Sequence, residues 1–223
     1  MAERPILFNA EMVRAILDGR KTQTRRLVKG LPLAEPWFTV EDGKPMMCDE
    51  NGEWYPAERF SVVQPGDILW VRETWTKDAG RYLYRADYSD TEKFYMNGRE
   101  IRMTWHPSIH MPREAARLFL RVEDVRIERL QDISEDDALA EGANAGEYLD
   151  EQGNLMDVYY PHEDFVRIWN STIKKADISR YGWDANPWVW VYEFVRLDGR
   201  HAVLWADRDA ARYDDQDVLL LAT

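Results

Sequence analysis

A lysine amine, two threonine hydroxyls and two guanidinium groups fall within six residues at Lys21-Thr22-Gln23-Thr24-Arg25-Arg26. A lysine amine works as a base only when burial or neighbouring cations lower its pKa. Arg20, Arg25 and Arg26 are the cations at hand. A threonine hydroxyl becomes a nucleophile only beside such a base. Together these types would allow a nucleophile–base pair, a threonine hydroxyl beside the Lys21 amine. The same types serve other ends. Basic residues after a helix C-terminus interact with the negative end of its dipole. A Lys/Thr/Arg run is also an ordinary solvated strand, and paired arginines contact phosphates. Residue chemistry alone leaves these roles open.

The elements that must position this set can be read on either side of it. Met12, Val13, Ile16 and Leu17 form one apolar face of a short helix. Gly19 is its expected stop, because glycine accepts the left-handed conformation there. The threonines and Leu27-Val28 favour an extended segment afterwards. Strand alternation would put Thr22, Thr24 and Arg26 on one face and Lys21, Gln23 and Arg25 on the other. A twist or bulge at the strand start is then needed to bring Lys21 toward Thr24. A second helix is signalled by Ser134 with Asp137, a capping-box pattern. Glu135, Asp136 and Asp137 suit its positive N-terminus. Glu141, just before the expected C-cap Gly142, opposes the dipole, so capping does not explain it. An active-site carboxyl, a pairing with Lys21 or a plain exposed glutamate would.

Ile6-Leu7-Phe8, the short helix and Gly19-Arg20-Lys21-Thr22-x-Thr24-x-Arg26 resemble the opening of an ASCH domain, a PUA-like β-barrel. Four further stretches resemble later parts of that domain in order. Residues 65–75 and 118–125 resemble barrel strands, 130–142 the following helix and 188–194 the closing strand. The resemblance implies an α+β fold: a PUA-like mixed β-barrel with flanking helices over residues 1–197, and a C-terminal extension at 198–223. Insertions are expected at 30–64, 78–104 and 143–161, covering the barrel mouth, as in the longer forms of phages and prophages. Some members are amidohydrolases that remove the acyl group from N4-acetylcytidine and related N4-acylated cytosines. Carried onto this chain, the resemblance makes Lys21 the proton acceptor, Thr24 the nucleophile and Glu141 the proton donor, with no metal or cofactor. A carboxyl kept protonated for that role implies a partly buried site. Arg26, or a backbone N–H near it, would stabilise the oxyanion.

Further candidates for substrate contact come from residue type and placement. Trp70 and Trp75, at odd spacing on one expected strand, would face opposite sides, leaving Trp75 at the strand end as a stacking wall. Glu73 beside it is the second candidate acid. Ser108, His110 and Arg113 would form a polar edge for a sugar or phosphate. His106 and His110 have helical metal-ligand spacing, but Pro107 and Pro112 oppose a helix there and no third ligand is near. Among the insertions, Phe38-Thr39-Val40 and Trp54-Tyr55 suggest a hairpin across Asp42-Gly43 or Asn51-Gly52. Tyr82 to Ala86 suggests a strand, residues 143–161 a loop, and residues 163–173 a helix with Phe165, Ile168 and Trp169 on one face.

Composition narrows the class. The 223 residues carry 41 acidic against 29 basic side chains, a formal net charge of −12, which gives no general pull toward a polyanion. That balance fits a small N4-acylated cytosine base or nucleoside as partner better than a nucleic-acid coat. The competing classes are a non-catalytic RNA-binding module using Arg25, Arg26 and nearby aromatics, and an accessory protein acting by protein contact. Cys48 alone allows no internal disulfide and fits a reducing cytoplasm. No apolar run approaches the roughly 20 residues of a membrane span, and no signal-peptide pattern opens the chain. Nothing in the pattern sets the oligomeric state.

Overall fold

The computed structural model of the protein describes residues 1–29, 37–42, 44–96, 99–149 and 155–197. It opens with β1 (Glu3–Leu7), after which Asn9 caps α1 (Ala10–Leu17) by accepting a hydrogen bond from the Met12 N–H at 2.8 Å. The expected apolar face is there: Met12, Val13 and Ile16 are buried. Gly19 ends the helix at φ 75°, and the Arg20 and Lys21 N–H groups both return to the Ala15 carbonyl. Only then does β2 (Gln23–Leu27) begin. Lys21 and Thr22 therefore precede the strand and escape its alternation, and Lys21 and Thr24 line one cavity.

The central sheet adds β3 (Ile68–Arg72), β4 (Phe119–Arg129) and β5 (Trp188–Arg196), in the order β1-β3-β4-β5-β2. The β1–β3 pair is parallel and the other three are antiparallel, so the sheet is mixed. No backbone ladder joins edge strands β1 and β2 among the described residues. Arg26 of β2 nevertheless donates from Nη2 to the Leu7 carbonyl of β1 at 3.0 Å, so the sheet curls until its edges meet through a side chain. Two helices pack on it: α2 (Glu135–Ala140) and α3 (Pro161–Thr172), whose buried face is the expected Phe165, Ile168 and Trp169. A single further turn, α4 (Ile178–Tyr181), precedes β5. The chain is thus α+β and strand-rich, and no helix among the described residues is long and apolar enough to cross a membrane.

Several local expectations need correction. The stretch 65–75 is not one strand: β3 ends at Arg72, and Trp75–Asp78 pairs with Arg81–Tyr84 in a separate hairpin. Trp70 and Trp75 hence lie in different sheets and the alternation argument fails. The expected 38–40/54–55 hairpin is a three-stranded sheet, because Lys44–Cys48 runs between Phe38–Glu41 and Trp54–Pro56. Gly43 lies outside the described residues, as do 30–36 and the whole 198–223 extension. The 143–161 loop holds a hairpin, Gly146–Leu149 with Leu155–Tyr159. In α2, Ser134 caps the Asp137 N–H at 3.1 Å as expected, but the Asp137 carboxylate turns to Arg25, Arg126 and Gln23.

One glycine sets how closely α2 and α1 approach. Gly142 has φ 91°, and a Cβ there would lie 2.8 Å from the Ala15 Cβ and 3.3 Å from the Lys21 Cβ. Gly142→Ala adds left-handed strain and a clash between two packed elements, for a loss of about 2–4 kcal/mol. Chemical denaturation of the variant beside the wild type measures it; equal stability would show that the two elements separate freely.

Candidate active site

A cavity of about 440 Å³ opens between α3 and the two sheet edges, within the usual range for small-molecule sites. Its polar end is Lys21, Thr24, Arg25, Arg26 and Glu141; its apolar side includes Phe8, Met12, Phe165, Ile168 and Trp169. Exposed Lys29 lies at its rim. Among the described insertion residues, none lines it, so the expected cover over a barrel mouth is not what shapes this cavity.

Lys21 reaches the site because the Ala15 carbonyl holds its backbone at the end of α1, while the Thr22 N–H bonds the Ala140 carbonyl at the end of α2. The side chain is 1% exposed and donates from Nζ to both the carbonyl and the Oε2 of Glu141, each at 2.6 Å. An ammonium on the last carbonyls of α2 is favoured by the helix dipole. The carboxylate that opposes that dipole is compensated by the same ammonium. Glu141, at the C-cap, is thus explained by pairing with Lys21, as the sequence left open.

Burial pushes the Lys21 amine below its usual range; Glu141 pulls the other way, and Arg26 and Arg25 add to the lowering. Two of the three cations named from sequence therefore act on it. Arg20 instead bonds the Gly142 carbonyl at 3.1 Å and the Asn144 side chain at 3.2 Å. The Phe8 ring lies beneath both cations, 5.5 Å from Lys21 Nζ and 5.0 Å from the Arg26 guanidinium.

Thr24, 1% exposed, accepts a hydrogen bond on Oγ1 from Arg26 Nη1 at 2.8 Å. Arg26 also binds the carbonyls of Arg25 and Leu7. It is engaged with the Thr24 hydroxyl and joins the sheet edges at Leu7. With Arg26 donating to the oxygen, the hydroxyl proton of Thr24 is left to point elsewhere.

The Arg25 side chain is fully buried and meets three carboxylates. Nε and Nη2 bind Glu128 Oε1 at 2.9 and 2.5 Å, Nη2 binds Asp137 Oδ2 at 3.1 Å, and Nη1 binds Glu141 Oε1 at 3.3 Å. Arg25 and Arg26 are therefore spent inside the fold, which weakens the phosphate-contact role for that pair. Sequence reasoning missed this network because Glu128 and Asp137 lie on β4 and α2, about 100 residues away, with nothing local to signal them.

The structure brings Lys21, Thr24, Arg26 and Glu141 together, and places the other five candidates elsewhere. Glu73 is 1% exposed and held bidentately by Arg117 at 2.8 and 2.9 Å, which occupies both oxygens the second candidate acid would need. Burial still raises its pKa, against the lowering effect of Arg117. Trp75 packs in its own hairpin on Tyr82 and His106, with ring centroids at 5.6 and 5.0 Å. Ser108 and His110 lie in a short turn whose Ile109 and Met111 carbonyls accept from Arg72. Arg113 is paired to Glu3 at 2.9 Å, at the far end of β1 from Leu7 and the cavity, about 13 Å away at 3.3 Å per residue. Among the described residues no group of three or more His, Cys, Asp or Glu could hold a metal ion.

The buried amine has a measurable consequence. A lysine whose folded pKa is depressed binds its proton less tightly in the native than in the unfolded state. Stability therefore rises with pH between the lowered folded value and the unfolded value of about 10.4. Wild type should gain stability over Lys21→Met across that alkaline window in denaturation at fixed pH steps; parallel curves would mean the amine titrates normally.

No protein-family model matches the chain, and no curated protein or solved structure matches it.

Proposed function

We propose that the protein is an ASCH-type, PUA-like domain acting in the cytoplasm as an amidohydrolase that removes the acyl group from N4-acylated cytosine or cytidine. The observation that carries this is the 2.6 Å contact between Lys21 Nζ and Glu141 Oε2 in the cavity that also holds Thr24. It supplies base, acid and nucleophile at one place. The curled mixed sheet, with Arg26 joining its edges at Leu7, supports the barrel-like reading of the fold.

The chemistry closes without a cofactor. The shared proton passes from Lys21 to Glu141, leaving a neutral amine and a protonated carboxyl. Lys21 takes the proton of Thr24, and Oγ1 bonds to the acyl carbon while Arg26 steadies the oxygen. The C–N bond breaks as Glu141 gives its proton to the leaving N4 amine. Water then attacks the acyl-threonine and gives a proton to Glu141. The acyl–Oγ1 bond breaks as Lys21 returns its proton to Thr24. Carboxylic acid and free cytosine amine leave, and the pair is back in its reactive form.

Hydrolysis of N4-acetylcytidine followed by ultraviolet absorbance is the test. Lys21→Ala, Thr24→Ala and Glu141→Ala should each lose roughly 10²-fold or more in kcat. Ser108→Ala and His110→Ala, away from the cavity, should match the wild type. Turnover that survives Thr24→Ala would replace the acyl-threonine by direct attack of a Lys21-activated water. An inert wild type on acetyl and longer acyl substrates would end the enzyme reading, and salt-dependent RNA binding would become the alternative to measure.

A further inference from the structure

The catalytic chemistry above uses Lys21, Thr24, Arg26 and Glu141 and leaves the most buried cation of the site without a task. Arg25 lies between Thr24 and Arg26 on β2, its side chain wholly out of water. Its guanidinium is not aimed into open space. One edge is fixed to Glu128 on β4, a corner to Asp137 on α2, and Nη1 to Glu141 Oε1, while its Cζ lies over the Phe165 ring, 5.8 Å from the centroid. The anchor is itself anchored: Arg126 binds Glu128 Oε2 at 3.0 Å and Asp137 Oδ1 at 3.3 Å. The two oxygens of Glu141 are thereby divided, Oε1 to Arg25 and Oε2 to Lys21.

We propose that Arg25 is the positioning residue of this site: it holds Glu141 so that Oε2 alone faces Lys21, and its fixed charge sets the pH range in which the Lys21–Glu141 pair carries one shared proton. This rests on the amidohydrolase reading, in which the productive pair has a single proton. With two protons Lys21 is no base; with none Glu141 is no acid. Activity then follows a bell whose two limbs belong to the pair rather than to either residue. A cation held beside the pair disfavours both protonation steps, so Arg25 shifts both limbs to lower pH. The other groups in reach are accounted for. Arg26 on β2 acts in the same sense on Lys21. Tyr192 on β5 acts on Arg26 and, being buried, has its pKa raised. On α3, Asp164 is held by Arg167 at 2.7 Å and by the Asn144 N–H at 2.8 Å. On α1, Glu11 is paired to Arg167.

Two substitutions separate charge from geometry. Arg25→Lys keeps the charge and loses the fork, so kcat for N4-acetylcytidine should fall by up to roughly 10²-fold with KM and the position of the bell unchanged. Arg25→Gln removes the charge, so both limbs should move to higher pH. A purely structural role would lower yield or thermal stability without moving the bell. Glu128→Gln, which loosens the anchor while leaving Arg25 charged, should lower kcat as Arg25→Lys does, and the carboxylate charge it removes can move the limbs only to lower pH, opposite to Arg25→Gln. If Arg25→Gln does not fold, Arg25→Lys and Glu128→Gln decide: wild-type kcat and profile in both overturn the proposal. A readout independent of turnover keeps it separate from the function itself. The titration of Lys21 followed by the carbon-13 shift of its Cε should move upward in Arg25→Gln even if no acyl substrate is cleaved. An unmoved Lys21 titration overturns the inference, whereas inert wild type with a moved titration overturns only the function.

Discussion

The contact between Lys21 and Glu141 is the constraint around which the rest of the molecule is arranged. Two groups that carry charge in water lie 3% and 6% exposed in a small protein. Removing one partner of such a pair leaves an uncompensated charge in a poorly solvated interior, which costs about 3–5 kcal/mol. The fold meets that demand through backbone placement. The end of α1 returns Lys21 to the Ala15 carbonyl, the end of α2 offers two carbonyls to Thr22 N–H and Lys21 Nζ, and Gly142 lets these two ends come together. Each helix is short, and each ends where the pair needs it to end.

The same demand explains why β2 is polar and yet buried. Gln23, Thr24 and Arg25 are all nearly inaccessible, in a position where a strand on hydrophobicity alone would carry valine or isoleucine. Each has its partners: Gln23 with Asp137, Thr24 with Arg26, Arg25 with three carboxylates. A fully partnered polar network of this kind specifies one register, because slipping β2 by one residue against β5 would put every one of those groups opposite the wrong partner.

Legibility from sequence tracks the range of the interaction. Gly19 as a stop, Ser134 as a cap and the apolar stripe of α3 are local, and each is found where its chemistry predicts. Lys21, Thr24 and Glu141 line one cavity, although Glu141 is 120 residues from Lys21. The failures are of two kinds. Trp75, Glu73, Ser108, His110 and Arg113 stand out for what their side chains can do, and the structure places all five away from the cavity: Glu73 on Arg117, Arg113 on Glu3, Trp75 in a separate hairpin, Ser108 and His110 in a short turn. The break after Arg72 carries no glycine or proline, so an unbroken strand through Trp75 was the local expectation. The Arg25 network and the apolar wall from α3 depend on contacts across the chain that no spacing rule encodes.

A site built in this way ties its chemistry to its stability. Burial and two arginines disfavour the charge of the amine, and the same burial makes the charged form a burden on the fold. Glu141 relieves that burden through its 2.6 Å contact with the amine. Arg25 acts on both members of the pair in one sense: it disfavours the ammonium of Lys21 and binds the carboxylate of Glu141. Weakening Arg25 would therefore leave the pair more proton-rich, and the fold without the bracket that joins β2, β4 and α2. Substituting a lysine there keeps the charge but cannot bridge three carboxylates, since its single head group lacks the planar fork that the geometry uses. The demand for one arginine at this position is thus set jointly by the packing of α2 on the sheet and by the Lys21–Glu141 pair whose carboxylate it binds.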